Sequence, residues 1–289
     1  MPKISRPRVH SRPPVAGAVA GIKWKGRGPF KCVKNGTVSC RGVHPALLKA
    51  YWPTWNWDKA KADGSLQDIA LPVEDKVVPM PEEARARRLP YSKGQGIRFD
   101  AEITKTVKLS RTNNLPACFW FNKSQRTLIL AKLKGPTEAA QKTVARLRNA
   151  IKVLMPETMA FWKLMHDAQM VPVETQTPVA KNRVGTKLDV LCTHAVHTDT
   201  YRVIECKHGC EKNWAIAGVP NLPSSLPLTE RRVTTHNQHL LQTTVNQMLF
   251  KATFPNRKSV KPWLVRVDRH GAHVYVAPVE LEGLARLLG

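Results

Sequence analysis

Two acidic residues and one lysine in the last third of the chain have the types and the spacing that phosphate chemistry requires. Asp189 stands in the stretch GTKLDV, and Glu205 and Lys207 stand in YRVIECKHG. Alternate residues of a β-strand share a face, so Glu205 and Lys207 project together, and a paired strand brings Asp189 beside them. Carboxylate oxygens are the ligands that Mg²⁺ prefers, and a nearby ammonium group stabilises charge on a phosphate. The pattern predicts metal-assisted hydrolysis of a phosphodiester, with Asp189 and Glu205 holding the metal.

The strands that would position these residues are predicted from their composition. Residues 188–192 and 201–204 are rich in β-branched and aromatic side chains, and the polar stretch 197–200 separates them, which predicts a β-hairpin. An acid two residues before a lysine is common in a lysine-rich chain, and Glu74 and Lys76 repeat the spacing. An ordinary surface ion pair at a solvated hairpin end is therefore the alternative interpretation.

Helices are predicted on both sides of this hairpin. Residues 156–169 begin with Pro156 and Glu157 and place apolar side chains at helical spacing. Glu157 is a further candidate metal ligand, or it complements the positive end of the helix dipole. Residues 236–254 carry a helical stripe of apolar side chains, which predicts a packed helix. This segment contains three glutamines, Gln238, Gln242 and Gln247.

With this order of elements, residues 150–289 resemble the PD-(D/E)XK nuclease superfamily, in which an acid on one strand and E-x-K on the next lie between two helices. Leu188 stands where the name-giving pattern has proline. The resemblance implies Mg²⁺ or Mn²⁺ as cofactor and a restriction-endonuclease-like core. It also implies the backbone carbonyl of Cys206 as a metal ligand. RecB-like and phage-exonuclease-like members carry a glutamine on the second helix that reaches the active site, and Gln242 matches it best.

The rest of the chain completes an α/β prediction, a mixed central β-sheet flanked by helices. Residues 137–154 form a basic amphipathic pattern that predicts a helix. The other predicted elements are strands at 97–109, 117–121 and 126–133 and a second hairpin at 263–267 and 273–277. We expect one nuclease-like domain at 96–289, behind an N-terminal arm and connector at 1–95.

The charge of the chain predicts a polyanionic partner. The sequence has 46 Lys and Arg against 21 Asp and Glu, a net charge of +25. Residues 1–57 contain no acid and seven prolines, so we expect a partly disordered arm that contacts nucleic acid, DNA above all, with salt-sensitive affinity. An import segment is the alternative. The candidate contact residues are Lys23, Lys25, Arg27, Lys31, Lys34 and Trp55. Trp55 stacks on unpaired bases or, alternatively, anchors the arm to the folded body.

The six cysteines show no disulfide framework, which predicts a reducing, intracellular setting: nucleus, cytoplasm or a virus-associated compartment, ahead of the mitochondrion. Cysteines and histidines between 192 and 210 provide zinc ligands in number but not at the spacing of a structural zinc site. No apolar run is long enough to cross a bilayer, so we expect no membrane partner.

These observations predict a metal-dependent DNA nuclease, and the glutamine helix favours an exonuclease over a site-specific restriction enzyme. A structure-selective endonuclease or junction resolvase is the second enzyme hypothesis. A non-catalytic, basic nucleic-acid-packaging protein is the alternative from another class, because the charge predicts binding without predicting cleavage. The sequence contains no phosphate-binding P-loop and no G-x-S-x-G nucleophile elbow, so neither nucleotide-driven nor serine-hydrolase chemistry is expected.

Overall fold

The structure is a computed structural model that describes residues 76–85, 93–181, 184–209, 235–268 and 270–279, and the backbone of five two-residue strands elsewhere. The elements in chain order are β1 (Lys31–Cys32), β2 (Val38–Ser39), β3 (Arg41–Gly42), β4 (Gln67–Asp68), β5 (Lys76–Pro79), α1 (Glu82–Arg85), α2 (Lys93–Asn113), α3 (Cys118–Phe121), α4 (Lys123–Leu133), α5 (Glu138–Lys152), α6 (Pro156–Asp167), β6 (Met170–Lys181), β7 (Val184–His194), β8 (Thr200–His208), β9 (Ile216–Ala217), α7 (Thr235–Thr253), β10 (Lys258–Ser259), β11 (Trp263–Asp268) and β12 (Gly271–Val276).

A mixed eight-stranded sheet forms the centre of the described fold. Its strand order is β3-β7-β8-β11-β12-β5, with β6 added to β7 and β10 added to β8. β8 and β11 run parallel, whereas β6, β7 and β8 are consecutive antiparallel neighbours. The outer strand β5 pairs with β12 and lies within the segment 1–95 that the sequence assigns to the arm and connector. The α/β class, with a mixed sheet flanked by helices, is confirmed.

Helices cover both faces of this sheet. On one face, Phe99 of α2 and Phe161 of α6 share a buried core with Ile204 of β8 and Val265 of β11. On the other face, Phe250 of α7 packs its ring against Tyr201, with 5.9 Å between the ring centroids. Because neighbouring strand residues alternate between faces, Glu205 and Lys207 lie on the α7 side. Within the described residues, no helix combines the length and the apolar character needed to cross a bilayer.

The long helix α2 corrects a prediction. The sequence predicts a strand at residues 97–109, because their isoleucine, threonine and valine residues favour strands. The buried side chains of Phe99, Ile103 and Val107 are spaced by four, which is the period of a helix packed against a core. The helix ends at Asn113, and Asn114 then takes the left-handed conformation (φ 56°) that commonly closes a helix.

The predicted strands at 117–121 and 126–133 are also wrong, since these residues form α3 and α4. Asn122 starts α4 by accepting a hydrogen bond from the Gln125 N–H, a side-chain cap that competes with extended structure. The predicted helices at 137–154, 156–169 and 236–254 are confirmed as α5, α6 and α7. Both predicted hairpins are confirmed, as β7–β8 and β11–β12.

Candidate active site

The candidate site lies where β7 changes its partner. β6 pairs along the whole of β7 on one edge. On the other edge, β3 pairs at Val184 and Gly185, and β8 pairs from Val190 onward. Asp189 falls between these two pairings, and its Oδ2 atom accepts a hydrogen bond from the Cys206 N–H at 3.0 Å. The carboxylate therefore takes a place that a strand partner would otherwise fill, and it is held by the backbone of β8.

Glu205 and Lys207 form the second part of the site. Lys207 Nζ lies 2.6 Å from Glu205 Oε1, on the shared face that the strand period dictates. Asn246 of α7 donates through Nδ2 to Glu205 Oε2 at 2.8 Å. Glu205 is 1% exposed and Asn246 is fully buried. Each carboxylate oxygen accepts more than one bond, so Glu205 keeps acceptor capacity after these two contacts.

A third carboxylate comes from α2. Asp100 and Asp189 line a small cavity of about 10 Å³. The other residues that line it are Ile103, Gln176, Val190 and Cys206. That volume is close to the minimum that holds one water-sized particle. The charges of Lys207 and Glu205 both act on the Asp100 carboxyl group. The structure thus brings Asp189 and Asp100 to one cavity, beside the Glu205–Lys207 pair.

The candidate site holds more acidic groups than basic ones. Desolvation by burial raises the pKa of Asp189 well above its usual range, and the neighbouring Glu205 charge raises it further, against the lowering effects of Lys207 and the Cys206 N–H. Desolvation also raises the pKa of Asp100. Although burial opposes its charge, the pKa of Lys207 is raised because carboxylates surround it. One ammonium group therefore faces three carboxyl groups.

The donor set fits a hard divalent cation. Asp189, Glu205 and Asp100 supply carboxylate oxygen atoms, and the excess of acids favours a positive ion. The Cys206 carbonyl stays a predicted ligand. In the part of the chain that the structure describes, no three His, Cys, Asp or Glu side chains form a ready-made metal cluster. Mg²⁺ usually keeps several waters and binds through one or two carboxylates plus substrate phosphate, so a closed protein cage is not required.

The structure does not bring Glu157 to this group. Its Oε1 atom lies 3.7 Å from Nε2 of His208, and the His208 ring also contacts Phe99. His208 follows Lys207 in β8 and so projects to the opposite face from Glu205 and Lys207. The acid that accompanies Asp189 from a helix is Asp100, in a segment for which the sequence predicts a strand. The four-residue spacing of apolar side chains in α2 is the signal that could have found it.

On α7, the residue that contacts the site is Asn246. Gln242 lies one turn before it and is half-buried, whereas Gln247 donates to Ser259 Oγ at 2.8 Å, away from the acids. Residues four apart share a helix face, so Gln242 points along the same side as Asn246. The predicted helix therefore contacts Glu205 through Asn246, and a role for Gln242 stays a prediction.

The cysteines near the site are packed as small apolar side chains. Cys192 is fully buried with Sγ 3.8 Å from Met165 Sδ, and Cys206 belongs to the core on the α2 side. His194 and His197 stack at the hairpin end with ring centroids 5.3 Å apart. Cys210, Lys23, Lys25, Arg27, Lys34 and Trp55 lie outside the described residues, and Lys31 is described through its backbone alone, in β1.

No protein-family model matches the chain, and no curated protein matches it. The likeness to PD-(D/E)XK nucleases therefore stays a prediction from the residues themselves. Any functional conclusion has to be drawn from the positions and charges of the described side chains.

Proposed function

We propose that this chain is a divalent-metal-dependent DNA nuclease that hydrolyses phosphodiester bonds, with an exonuclease as the favoured form. One observation carries the proposal. Asp189 and Glu205 stand on adjacent strands, and the charges of Glu205 and Lys207 both act on Asp189. The Cys206 N–H holds Asp189 at 3.0 Å, and Lys207 Nζ lies 2.6 Å from Glu205 Oε1. An ordinary surface ion pair is solvated and needs neither a buried glutamate nor a second acid.

Each residue has a distinct part in the proposed reaction. Asp189 and Glu205 would hold Mg²⁺ or Mn²⁺ with the Cys206 carbonyl, and Asp100 is an additional ligand from α2. The bound ion would lower the pKa of a water and neutralise phosphate charge. Lys207 offsets the negative charge that develops on the phosphate, and its ion pair with Glu205 fixes its position. Asn246 orients Glu205 from the α7 side.

Charge on α2 supports nucleic acid as the substrate. Lys105, Lys108 and Arg111 are exposed and follow Asp100 on the same helix. At about 1.5 Å per residue they extend roughly 16 Å from the acid, which spans about five phosphates of a duplex strand at 3.4 Å each. Two residues of the basic segment, Arg41 and Gly42 in β3, pair with Val184 and Gly185 of β7, and Gly185 lies four residues before Asp189.

The direct test is degradation of end-labelled DNA by the purified full chain with Mg²⁺ or Mn²⁺. We expect wild type to degrade linear DNA, and Asp189→Asn and Lys207→Ala to bind DNA without degrading it. Asp199→Asn and Lys258→Ala are matched controls, because this ion pair joins the turn before β8 to the neighbouring strand β10 and has side chains 64% and 78% exposed. Loss of activity in these controls as well would show that the loss is not specific to the site.

The form of the substrate separates the remaining hypotheses. An exonuclease degrades linear DNA and spares covalently closed circles, whereas a structure-selective endonuclease cleaves branched or circular substrates. The net charge of +25 also favours a non-catalytic packaging protein. That alternative replaces the nuclease if wild type binds every substrate but degrades none with either metal.

The salt dependence of DNA affinity tests whether the lysines on α2 contact DNA. Replacing Lys105 and Lys108 by Gln should flatten the plot of log affinity against log salt by about 0.9 for each phosphate that the protein no longer neutralises. Arg146→Gln with Arg148→Gln on α5 removes the same charge from another exposed helix face. Equal slopes for the two double variants would remove α2 from the proposed DNA-binding surface.

A further inference from the structure

Gln176 is held in an unusual backbone conformation. Three described residues other than glycine have positive φ: Asn114 (56°), Gln169 (53°) and Gln176 (54°). Asn114 directly follows the end of α2 and Gln169 lies two residues after the end of α6, where the left-handed conformation commonly closes a helix. Gln176 has no such explanation, because it lies in the middle of β6.

The position of Gln176 connects this conformation with the candidate site. Thr175 pairs with Val190 and Thr177 pairs with Leu188, so the register places Gln176 opposite Asp189. A left-handed residue within a strand is strained, and such strain persists where the surrounding structure holds it, often at functional sites. The strain in β6 is therefore located at the strand position that faces the metal-binding candidate Asp189.

The side chain of Gln176 is available for a ligand. Gln176 is exposed, and it lines the same cavity as Asp100 and Asp189. A carboxamide is uncharged and carries two N–H donors, so it contacts a phosphate oxygen without adding charge to a site rich in acids. Lys207 is already paired with Glu205, which leaves room for a second donor toward the substrate.

We propose that Gln176 is a substrate-contacting residue whose side-chain N–H groups donate to phosphate oxygens of the bound DNA strand. This rests on the proposed nuclease function. Gln176 lines the cavity while its backbone is held in the left-handed conformation, so the fold gives up some stability at this position. The residue determines how the substrate is held, while the acids hold the metal.

The test compares Gln176→Gly with Gln169→Gly in the full chain. Glycine adopts positive φ without strain, so both variants should melt a few degrees above wild type. Gln176→Gly should also lose about tenfold to a hundredfold in kcat/KM, the effect of removing a hydrogen bond to a charged group. Gln169→Gly should keep the wild-type kcat/KM, because its strain serves a helix end.

Gln176→Glu separates a phosphate contact from a metal contact. A carboxylate at this position repels phosphate and attracts cations, so kcat/KM should fall at least as far as in Gln176→Gly while Mn²⁺ binding to the protein alone tightens. Higher activity in Gln176→Glu than in Gln176→Gly would overturn the phosphate contact.

Three further outcomes overturn the inference. With wild type active, an unchanged kcat/KM in Gln176→Gly rejects the role of Gln176 and leaves the nuclease proposal standing. A melting temperature that falls in Gln176→Gly but rises in Gln169→Gly rejects the strain on which the inference depends. If wild type degrades no DNA, the nuclease proposal and this inference fail together.

Discussion

Two clusters of charged residues lie side by side on the sheet. In one cluster acidic groups outnumber the basic group, and in the other a single acid has two basic partners. In the candidate site, Lys207 accompanies Asp189, Glu205 and Asp100. On β11 and β12, Asp268 faces two partners: Arg266 Nη2 at 3.2 Å and His273 Nε2 at 2.9 Å. Arg266 is the strand partner of Lys207, so the two clusters are neighbours.

The pKa values of the two aspartates record the difference. Burial, followed by the charge of Glu205, raises the pKa of Asp189. Burial also acts to raise the pKa of Asp268, but hydrogen bonds from His273 and the His270 N–H and the charge of Arg266 lower it overall. Asp268 is thus stabilised as a carboxylate by the protein itself. For Asp189 the protein instead disfavours the charged form, and a bound cation would offset that penalty.

The largest contrast is expected for Asp189→Asn. It should reduce Mg²⁺-dependent DNA hydrolysis by roughly a thousandfold, because a metal ligand provides several kcal/mol of transition-state stabilisation. In chelator, the same change should raise the free energy of unfolding by about 0.5–2 kcal/mol, since it replaces a carboxyl group whose charged form is destabilised by burial. Urea denaturation and a labelled-DNA assay measure the two effects. If Asp189→Asn instead lowered the free energy of unfolding, the two aspartates would not differ in their effect on stability, and the distinction between the clusters would be wrong.

For Asp268→Asn we expect lower stability of the fold and unchanged DNA hydrolysis. The amide keeps the shape and a hydrogen-bond acceptor but removes the negative charge that lies 3.2 Å from the guanidinium of Arg266, which is 5% exposed. Removing one partner of a buried ion pair should lower the free energy of unfolding by about 3 kcal/mol. DNA hydrolysis per folded molecule should stay near wild type, measured below the unfolding transition. A thousandfold loss of activity without destabilisation would assign Asp268 to the reaction instead.

Local signals explain which elements the sequence predicts correctly. The β7–β8 hairpin depends on a polar turn and adjacent β-branched strands, so Asp189, Glu205 and Lys207 can be placed together from nearby residues. The helix α7 follows from its apolar stripe. These elements carry their own pattern within about twenty residues, and their relative order follows from connection rules.

The parts that sequence reasoning misses depend on contacts between distant segments. Asp100 reaches the site from a helix 89 positions before Asp189, and the β-branched residues of that helix favour a strand. Tertiary packing overrides this local preference, because Phe99, Ile103 and Val107 are buried on one helix face. The pairing of Asp268 with His273 is equally hidden, since the predicted hairpin fixes the strands but not the side-chain partners.

Asn246→Ala should sharpen the comparison on the active-site side. Asn246 donates to one oxygen of the Glu205 carboxylate while Lys207 donates to the other, so removing its amide should let Glu205 reorient and lower kcat by about tenfold. Binding of Mn²⁺ to the protein alone should weaken in parallel, which a purely structural residue would not cause. Gln242→Ala is the matched variant on the same helix face. A larger decrease in Gln242→Ala would favour the glutamine that the sequence resemblance selects.

The smallest effect is a difference in acid sensitivity between the clusters. The folded pKa of Asp268 lies below its unfolded value of about 3.9, so the carboxylate contributes stability above that pH and loses it as pH falls through the folded value. The unfolding free-energy difference between wild type and Asp268→Asn should therefore be smaller below about pH 4 than at about pH 5. Urea denaturation at each pH measures it. A difference that persists undiminished at low pH would mean that the shape of the Asp268 cluster, rather than its charge, stabilises the fold, and charge balance would then no longer distinguish the two clusters.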